Sequence, residues 1–243
     1  MIAASLIAGG NETLSHFLEK TSMSRNFLNK FFRYSAPVLL CFVLGGGIVE
    51  AQSDSSASQS AKAWAVVDGF RSASFGMNEK DVLKAISKDF GIGKKNIERL
   101  VHPTEKTTNL SVAVSNLLPE SGQAQVIYSL GYQSKRLMNV NILWGQPFDD
   151  TVKPQSLLDT ANALSSFFSR QRFDPDGLLI NADLKNGNII VFRGKDQKGR
   201  MVLIHLTNPT IKEGEAPPNL TLRLSYIADP SAPDIFHIKK GDF

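Results

Sequence analysis

The alternation of apolar and polar residues in the first half of the chain predicts one helix followed by a sheet. Apolar residues recur at helical spacing after Asn78, a suitable N-cap, and the helix is expected to end at Gly91. A second, short helix is predicted over residues 94–101. Strict alternation then predicts three strands, with apolar positions at Leu110, Val112, Val114; Val126, Tyr128, Leu130, Tyr132; and Met138, Val140, Ile142, Trp144.

The second half repeats this order more loosely. Pro154 opens a longer helix, and strands are predicted at residues 188–193, 201–207 and 220–227. The connection at residues 208–219 contains three prolines and is long enough to serve in recognition. We therefore predict an α+β fold of two layers, an antiparallel sheet covered on one face by helices, built from two helix-plus-three-strand units.

The N-terminal residues predict export. A basic segment precedes a 14-residue apolar run at residues 36–49, and Ala51 then leads into a polar stretch. This run is shorter than the roughly 18 residues of a membrane-spanning helix. We predict a signal peptide at residues 23–51 that is cleaved, which gives a periplasmic or secreted protein. An uncleaved inner-membrane anchor is the alternative.

These boundaries divide the chain into four parts. Residues 1–51 are the N-terminal extension and signal, and whether Met1 or Met23 is the true start stays open. Residues 52–63 are a flexible polar tether. Residues 64–145 form the first unit, and residues 146–243 form the second unit with an irregular tail.

Composition and charge limit the classes of partner and the kinds of site that the sequence suggests. The chain has 42% hydrophobic and 21% charged residues and a formal net charge of +4, which is a mild basic bias and does not indicate nucleic acid. Cys41 is the single cysteine, so intramolecular disulfides and multi-cysteine zinc sites are excluded. Lys94, Lys95 and Arg99 with Lys135 and Arg136 are candidates for a basic patch, which leaves a peripheral membrane contact open.

The segment from Phe75 to Val82 resembles the SmpA/OmlA (BamE-like) and β-lactamase-inhibitor-like α/β modules of bacterial envelopes. In those modules a Gly-Met step precedes the capping residue of the first helix, and Gly76, Met77, Asn78 and Val82 match this pattern. The resemblance implies a non-enzymatic module, arranged in tandem, that binds other envelope proteins. The lipid-attachment cysteine and the Leu-Gly-x-Pro helix ending of that group are absent.

Three local patterns are candidates for sites of chemistry. The Gly91–Lys94 segment lacks the earlier glycine of a phosphate loop, because Lys88 occupies that position. The Asp174–Gly177 segment has Lys185 where a calcium-binding loop needs an acidic residue, so it predicts a turn. The Asp149-Asp150 pair is expected to lie in a solvated connection between the two halves.

The mature histidines, His102, His205 and His237, are far apart and lack metal-ligand spacing. His205 is expected on the polar side of its strand, and no serine-hydrolase elbow is present. We expect no catalytic, metal or cofactor site.

Three functions stay open. The leading one is a module that binds an envelope protein through its sheet face or residues 208–219. The second is a binder of a small or lipidic ligand in a helix–sheet cleft near Trp144. The third is an unrecognised hydrolase with clustered Ser, His and Asp. Partner identity and oligomeric state are open.

Overall fold

The computed structural model describes residues 62–185, 187–207 and 220–238. The predicted signal peptide, Cys41, the tether up to residue 61 and the connection at 208–219 lie outside the described residues.

The described chain contains two α-helices and ten strands. The helices are α1 (Glu79–Phe90) and α2 (Pro154–Ser169). A small hairpin, β1 (Gly69–Phe70) and β2 (Ala73–Ser74), precedes α1. The remaining strands are β3 (Glu98–Val101), β4 (Thr108–Ser115), β5 (Gln123–Leu130), β6 (Leu137–Gly145), β7 (Leu179–Asp183), β8 (Asn188–Lys195), β9 (Met201–Thr207) and β10 (Thr221–Ile227).

Strands β3 to β10 form one antiparallel sheet in the order β3-β4-β5-β6-β10-β9-β8-β7. The predicted class, a helix-covered two-layer fold of helix-plus-three-strand units, is therefore wrong: the eight-stranded sheet dominates the described chain. Each half contains a helix followed by four strands, and the halves meet where β6 pairs with β10. At this junction Ile142 lies opposite Leu224.

The two additional strands are at the edges of the sheet. The short helix predicted over residues 94–101 is also wrong, since only Lys94–Asn96 forms a 3-10 turn and Glu98–Val101 is β3. All four residues of β3 are exposed, so the strand has no buried side that would produce alternation. Pairing with β4 holds it in the sheet. At the other edge, β7 is mostly exposed and was missed for the same reason.

Both helices and the hairpin pack on one side of the sheet, which we call the helix face. Phe168 of α2 stacks on Phe192 at 5.7 Å between ring centroids, and Phe70 of the hairpin lies 5.5 Å from Tyr226. Val82 and Ile86 of α1 are fully buried in the same apolar core. Most of the apolar strand positions predicted from alternation belong to that core. Met138 was expected among them but lines the opposite side of the sheet, because a register shift between β5 and β6 puts Leu137 in the core instead.

The opposite side of the sheet, the open face, carries the residues between these core positions. We define it by Asn109, Asn139, Leu143, Leu203 and Arg223, which alternate along their strands with core residues. These five residues are only partly buried. Met138, beside Asn139, is the exception, because a register shift between β5 and β6 places it in the groove on the open face. Among the described residues, no helix is long and apolar enough to cross a membrane.

Candidate binding groove on the open face of the sheet

Pairing between strands places polar residues side by side on the open face. Asn109 lies opposite Ser129, and Ser129 lies opposite Asn139. Two residues further along β6, Asn141 lies opposite Ser225. The register therefore gathers amide and hydroxyl side chains from β4, β5, β6 and β10 into one polar surface.

This surface lines a groove of about 360 Å³. His102 and Glu105, in the turn between β3 and β4, line it together with Asn109, and Arg223 lines it on β10. The C-terminal tail borders that turn, because the backbone N–H of Phe236 donates to the Glu105 carbonyl at 2.9 Å. The groove thus runs diagonally across several strands.

Three polar atoms in the groove are buried without a hydrogen-bond partner. Within the part of the chain that the structure describes, six buried side-chain polar atoms lack one. Half of them, Asn109 Oδ1, Asn139 Oδ1 and Arg223 Nε, line the groove. A buried polar atom without a partner costs about 1–3 kcal/mol, so these three atoms lower the stability of the sheet around the groove.

Asn141 provides the contrast. Its Oδ1 accepts a hydrogen bond from Ser225 Oγ at 2.6 Å, and Ser225 is almost fully buried. Gln125 Nε2 similarly donates to Ser111 Oγ on the same face. The open face therefore contains both satisfied polar pairs, which belong to the fold, and unsatisfied atoms.

Arg223 is flanked by residues that carry no negative charge. Its neighbours across the sheet are Leu143 and His205, and Ser225 follows it on the same face. Partial burial lowers the pKa of His205 below its usual 6.5, and the charge of Arg223 lowers it further, so both effects favour the neutral imidazole. The two ion pairs among the described residues, Lys84–Asp81 and Arg99–Glu79, do not involve Arg223.

The glycine and aspartate patterns singled out from sequence are structural. Gly91 caps α1 in the left-handed conformation, with φ of 68°, and its N–H donates to the Ser87 carbonyl. The side chain of Asp174 accepts from the backbone of Asp176 in a 3-10 turn. Neither segment lines the groove.

Asp149 joins two loops. Its carboxylate accepts from the Thr151 hydroxyl at 2.6 Å and from the Gln123 backbone N–H at 2.8 Å, and these hydrogen bonds hold its pKa below the usual 3.8. The predicted solvated linker residue therefore fastens the connection between the halves to the β4–β5 turn.

The three histidines do not form a metal-binding group among the described residues. His102 lines the groove and its Nδ1 accepts from the Glu105 backbone N–H at 3.1 Å. His205 lies on the open face, as expected, with Nδ1 3.4 Å from Thr207 Oγ1. His237 is exposed in the C-terminal tail.

The cations of the predicted basic patch have separate local contacts. Arg99 pairs with Glu79 at 3.0 Å, and Lys135 lies over the Tyr132 ring at 5.3 Å. Arg136 reaches the Gly76 carbonyl at 3.5 Å.

Comparison of the chain with protein-family models, curated proteins and solved structures found no match. Function must therefore be argued from the groove itself.

Sequence reasoning proposed the sheet face, but it gave no binding role to the residues that line the groove, including His102 and Met138, which it had named. One signal was available: Asn139 and Asn141 alternate with Val140 and Ile142, and asparagine is depleted in strands. Amides at successive outward positions of a central strand indicate a surface selected for hydrogen bonding.

Proposed function

We propose that this chain is an exported, non-enzymatic binding module of the cell envelope that holds another protein on the open face of its sheet. The observation that carries the proposal is the open face itself, where amide and hydroxyl side chains from four neighbouring strands lie beside Arg223, which has no ion-pair partner among the described residues. A protein surface supplies both hydrogen-bond donors and acceptors, which suits a face that presents amide, hydroxyl and guanidinium groups together.

The location rests on the sequence of the N-terminal residues. The basic segment, apolar run and small-residue exit within residues 23–51 support export, as does the resemblance of the Gly76–Val82 segment to envelope modules. N-terminal sequencing of the native protein tests this part. A start just after Ala51 in an envelope fraction is expected, whereas an intact chain from Met1 in the cytosol contradicts export.

Site-specific photocrosslinking tests the binding face. A photoreactive phenylalanine derivative replaces Leu143, which adjoins Arg223 on the open face, in the full chain expressed in its own host. The matched control places the same group at Phe167, an exposed aromatic residue of α2. We expect a protein adduct from position 143 and much less from position 167. Equal adducts from both positions, or none from position 143, contradict the proposal.

A small polar ligand is the second candidate, because the groove volume of about 360 Å³ lies within the range of ligand sites. The expected helix–sheet cleft near Trp144 does not support it, since Trp144 is fully buried in the core on the helix face. Native mass spectrometry of the protein purified from its own host tests this candidate, because a ligand that stays bound would add its mass to that of the protein.

A further inference from the structure

We infer that the edge strand β3 pairs with the β3 strand of a second copy of this chain, which joins the two sheets into one. The inference goes beyond the proposed function, because it concerns an edge of the sheet and not its open face. It follows from the exposure of β3, the direction of its outer backbone groups and the residues that face each other across the pairing.

The outer side of β3 is uncovered by the described residues. β3 is the last strand at its end of the sheet, and it pairs with β4 alone among the described strands. Leu100, opposite Asn109, is on the open face and is 56% exposed, whereas Val101 is on the other face and is 47% exposed. An exposed edge with apolar side chains on both faces is a template for another strand.

The opposite edge of the sheet is not an equivalent template. β7 also exposes an apolar side chain, Ile180, which is 49% exposed. This strand is interrupted at Asn181, however, where φ is 51° and the pairing with β8 skips one position. The pairing of β3 with β4 is regular at all four positions, and no residue of β3 has a positive φ. β3 is therefore the edge that can extend the sheet.

The pairing with β4 determines which backbone groups of β3 point outwards. Just after β3, the His102 N–H donates to the Thr107 carbonyl at 2.8 Å, so these two residues form a hydrogen-bonded pair of the antiparallel ladder. Hydrogen-bonded and non-hydrogen-bonded pairs alternate along such a ladder, so the pairs two and four residues earlier on β3 are also hydrogen-bonded. The N–H and C=O groups of Arg99 and Val101 therefore point away from β4, towards a further strand.

One register of an antiparallel self-pair matches these outward groups and the side chains. If Arg99 lies opposite Val101 of the second copy, both residues form hydrogen bonds and Leu100 lies opposite Leu100 of the second copy. A shift of two residues in one direction places Arg99 opposite Arg99, which are like charges. A shift in the other direction places Arg99 opposite Pro103, which has no N–H to donate. The twofold axis therefore passes beside Leu100.

The side chains on the open face complement each other in this register. Glu98, which forms no ion pair among the described residues, lies opposite His102 of the second copy. His102 Nδ1 accepts from the Glu105 N–H at 3.1 Å, so the neutral imidazole carries its proton on Nε2, which can donate to the Glu98 carboxylate. This contact occurs twice about the axis, with the pair of Leu100 side chains between the two. Hydrogen bonding and apolar contact thus both favour a second copy as the occupant of the edge.

The symmetry of the pair affects the binding face. A twofold axis that relates two antiparallel strands is perpendicular to the sheet, so the open faces of both copies are on the same side. His102 lines the groove, so the groove of each copy begins beside the shared edge. The pair therefore presents two grooves on one continuous surface.

Disulfide crosslinking tests the register. In the full chain carrying Cys41→Ser, a single cysteine replaces either Leu100 or Val101. In the inferred pair, the two residues at position 100 lie directly opposite each other with Cα atoms about 4.5 Å apart, within the range of a disulfide. The two residues at position 101 are about 8.5 Å apart, from about 7 Å along the strand and about 5 Å between strands, which is outside that range. We expect mild oxidation to give a crosslinked dimer from position 100 and far less from position 101.

Sedimentation velocity over a range of protein concentrations measures the association itself. Leu100→Lys places two like charges opposite each other at the centre of the pairing, and Ile180→Lys is the matched control at the other edge. We expect the wild type to dimerise, and Leu100→Lys to raise the Kd of the dimer about tenfold or more, whereas Ile180→Lys should change it less than about threefold. Both positions are exposed, and circular dichroism confirms that each variant is folded.

Four results would overturn the inference. A wild type that is monomeric at every concentration contradicts the pairing, and so does a dimer that Ile180→Lys weakens but Leu100→Lys does not. Equal crosslinking from positions 100 and 101 contradicts the twofold register. A disulfide between position 100 and a different protein of the host, without a crosslinked dimer, means that β3 receives a strand of another chain. None of these results concerns the open face, so crosslinking from position 143 tests the proposed function separately.

Discussion

The Asn139→Leu substitution is predicted to stabilise the free protein although it removes a polar side chain from the groove. Asn139 Oδ1 is buried and has no hydrogen-bond partner in the structure. Leucine has the same branching at Cγ and the same number of heavy atoms, and it brings no group that must be desolvated. Because Asn139 Oδ1 is buried and unpaired, it lowers the stability of the chain.

The magnitude follows from the missing hydrogen bond. Leaving a polar group buried and unpaired costs about 1–3 kcal/mol, and replacing it with an apolar group of similar shape recovers part of that cost. The change in strand propensity adds a gain within about 1 kcal/mol. We expect the free energy of unfolding of Asn139→Leu to exceed that of the wild type by about 1 kcal/mol or more.

Asn141→Leu is the matched control, on the same strand and the same face. Asn141 Oδ1 accepts from Ser225 Oγ at 2.6 Å, so this substitution leaves the buried Ser225 hydroxyl without its acceptor. It should therefore destabilise the protein by about 1–2 kcal/mol. Because the change in strand propensity is the same in both variants, the difference between them isolates the hydrogen bond.

Urea unfolding followed by far-UV circular dichroism measures both variants, with the slope of unfolding free energy against urea checked for constancy. Opposite signs for the two variants are the expected result. If both substitutions destabilise the chain to the same degree, Asn139 Oδ1 is hydrogen-bonded in solution, which would contradict the prediction that it is unpaired.

Three further predictions concern the fold around the groove. Ile142→Ala should lower the free energy of unfolding by about 2–5 kcal/mol, because Ile142 is fully buried at the β6–β10 junction. Leu143→Ala, on the open face, should lower it by less than half of that amount. Urea unfolding compares the two variants, and similar losses would contradict the assignment of the faces. Asn78→Ala should destabilise the protein by about 1 kcal/mol, because Asn78 Oδ1 accepts a hydrogen bond from the Asp81 N–H at 3.1 Å at the start of α1. Lys153→Asp should stabilise the start of α2, which has no side-chain cap, by a similar amount. Thermal unfolding measures both variants, and an unchanged stability of Asn78→Ala would contradict the role of Asn78 as a cap. Because the pKa of His205 is lowered in the folded protein, the unfolded chain takes up a proton first as the pH falls, so stability should decrease below about pH 6.5. His205→Gln should flatten this dependence between about pH 7 and pH 5. Urea unfolding at several pH values measures it, and identical profiles for the wild type and the variant would contradict the prediction.

Sequence periodicity predicted the parts of the fold that are buried on one side. Both helices and six of the strands of the sheet were placed correctly, because burial on one face leaves a period of two or 3.6 in the sequence. The edge strands Glu98–Val101 and Leu179–Asp183 have little buried surface, and backbone pairing, which leaves no pattern of side chains, holds them in place. The hairpin before α1, with two residues in each strand, is too short for any period.

The groove could not be predicted from the sequence, for a different reason. Asn139 and Asn141 are the same residue type in the same pattern, yet one has a partner and the other does not. That difference depends on the pairing of β6 with β10, two strands about 80 residues apart in the chain, whose register brings Ser225 opposite Asn141. Only the assembled sheet shows which polar side chains remain unsatisfied.

Cysteine protection in living cells tests the open face most directly. Cys41 is the only cysteine of the sequence, so Cys41→Ser gives a cysteine-free background. In this background a single cysteine replaces either Leu203, which lines the groove, or Phe167, which is exposed on α2. The rate of alkylation of each is compared between cells and purified protein. A partner on the open face predicts that the cysteine at 203 reacts several-fold more slowly in cells while the cysteine at 167 is unchanged. Equal rates at 203 in both settings, or protection at 167 alone, would contradict the account.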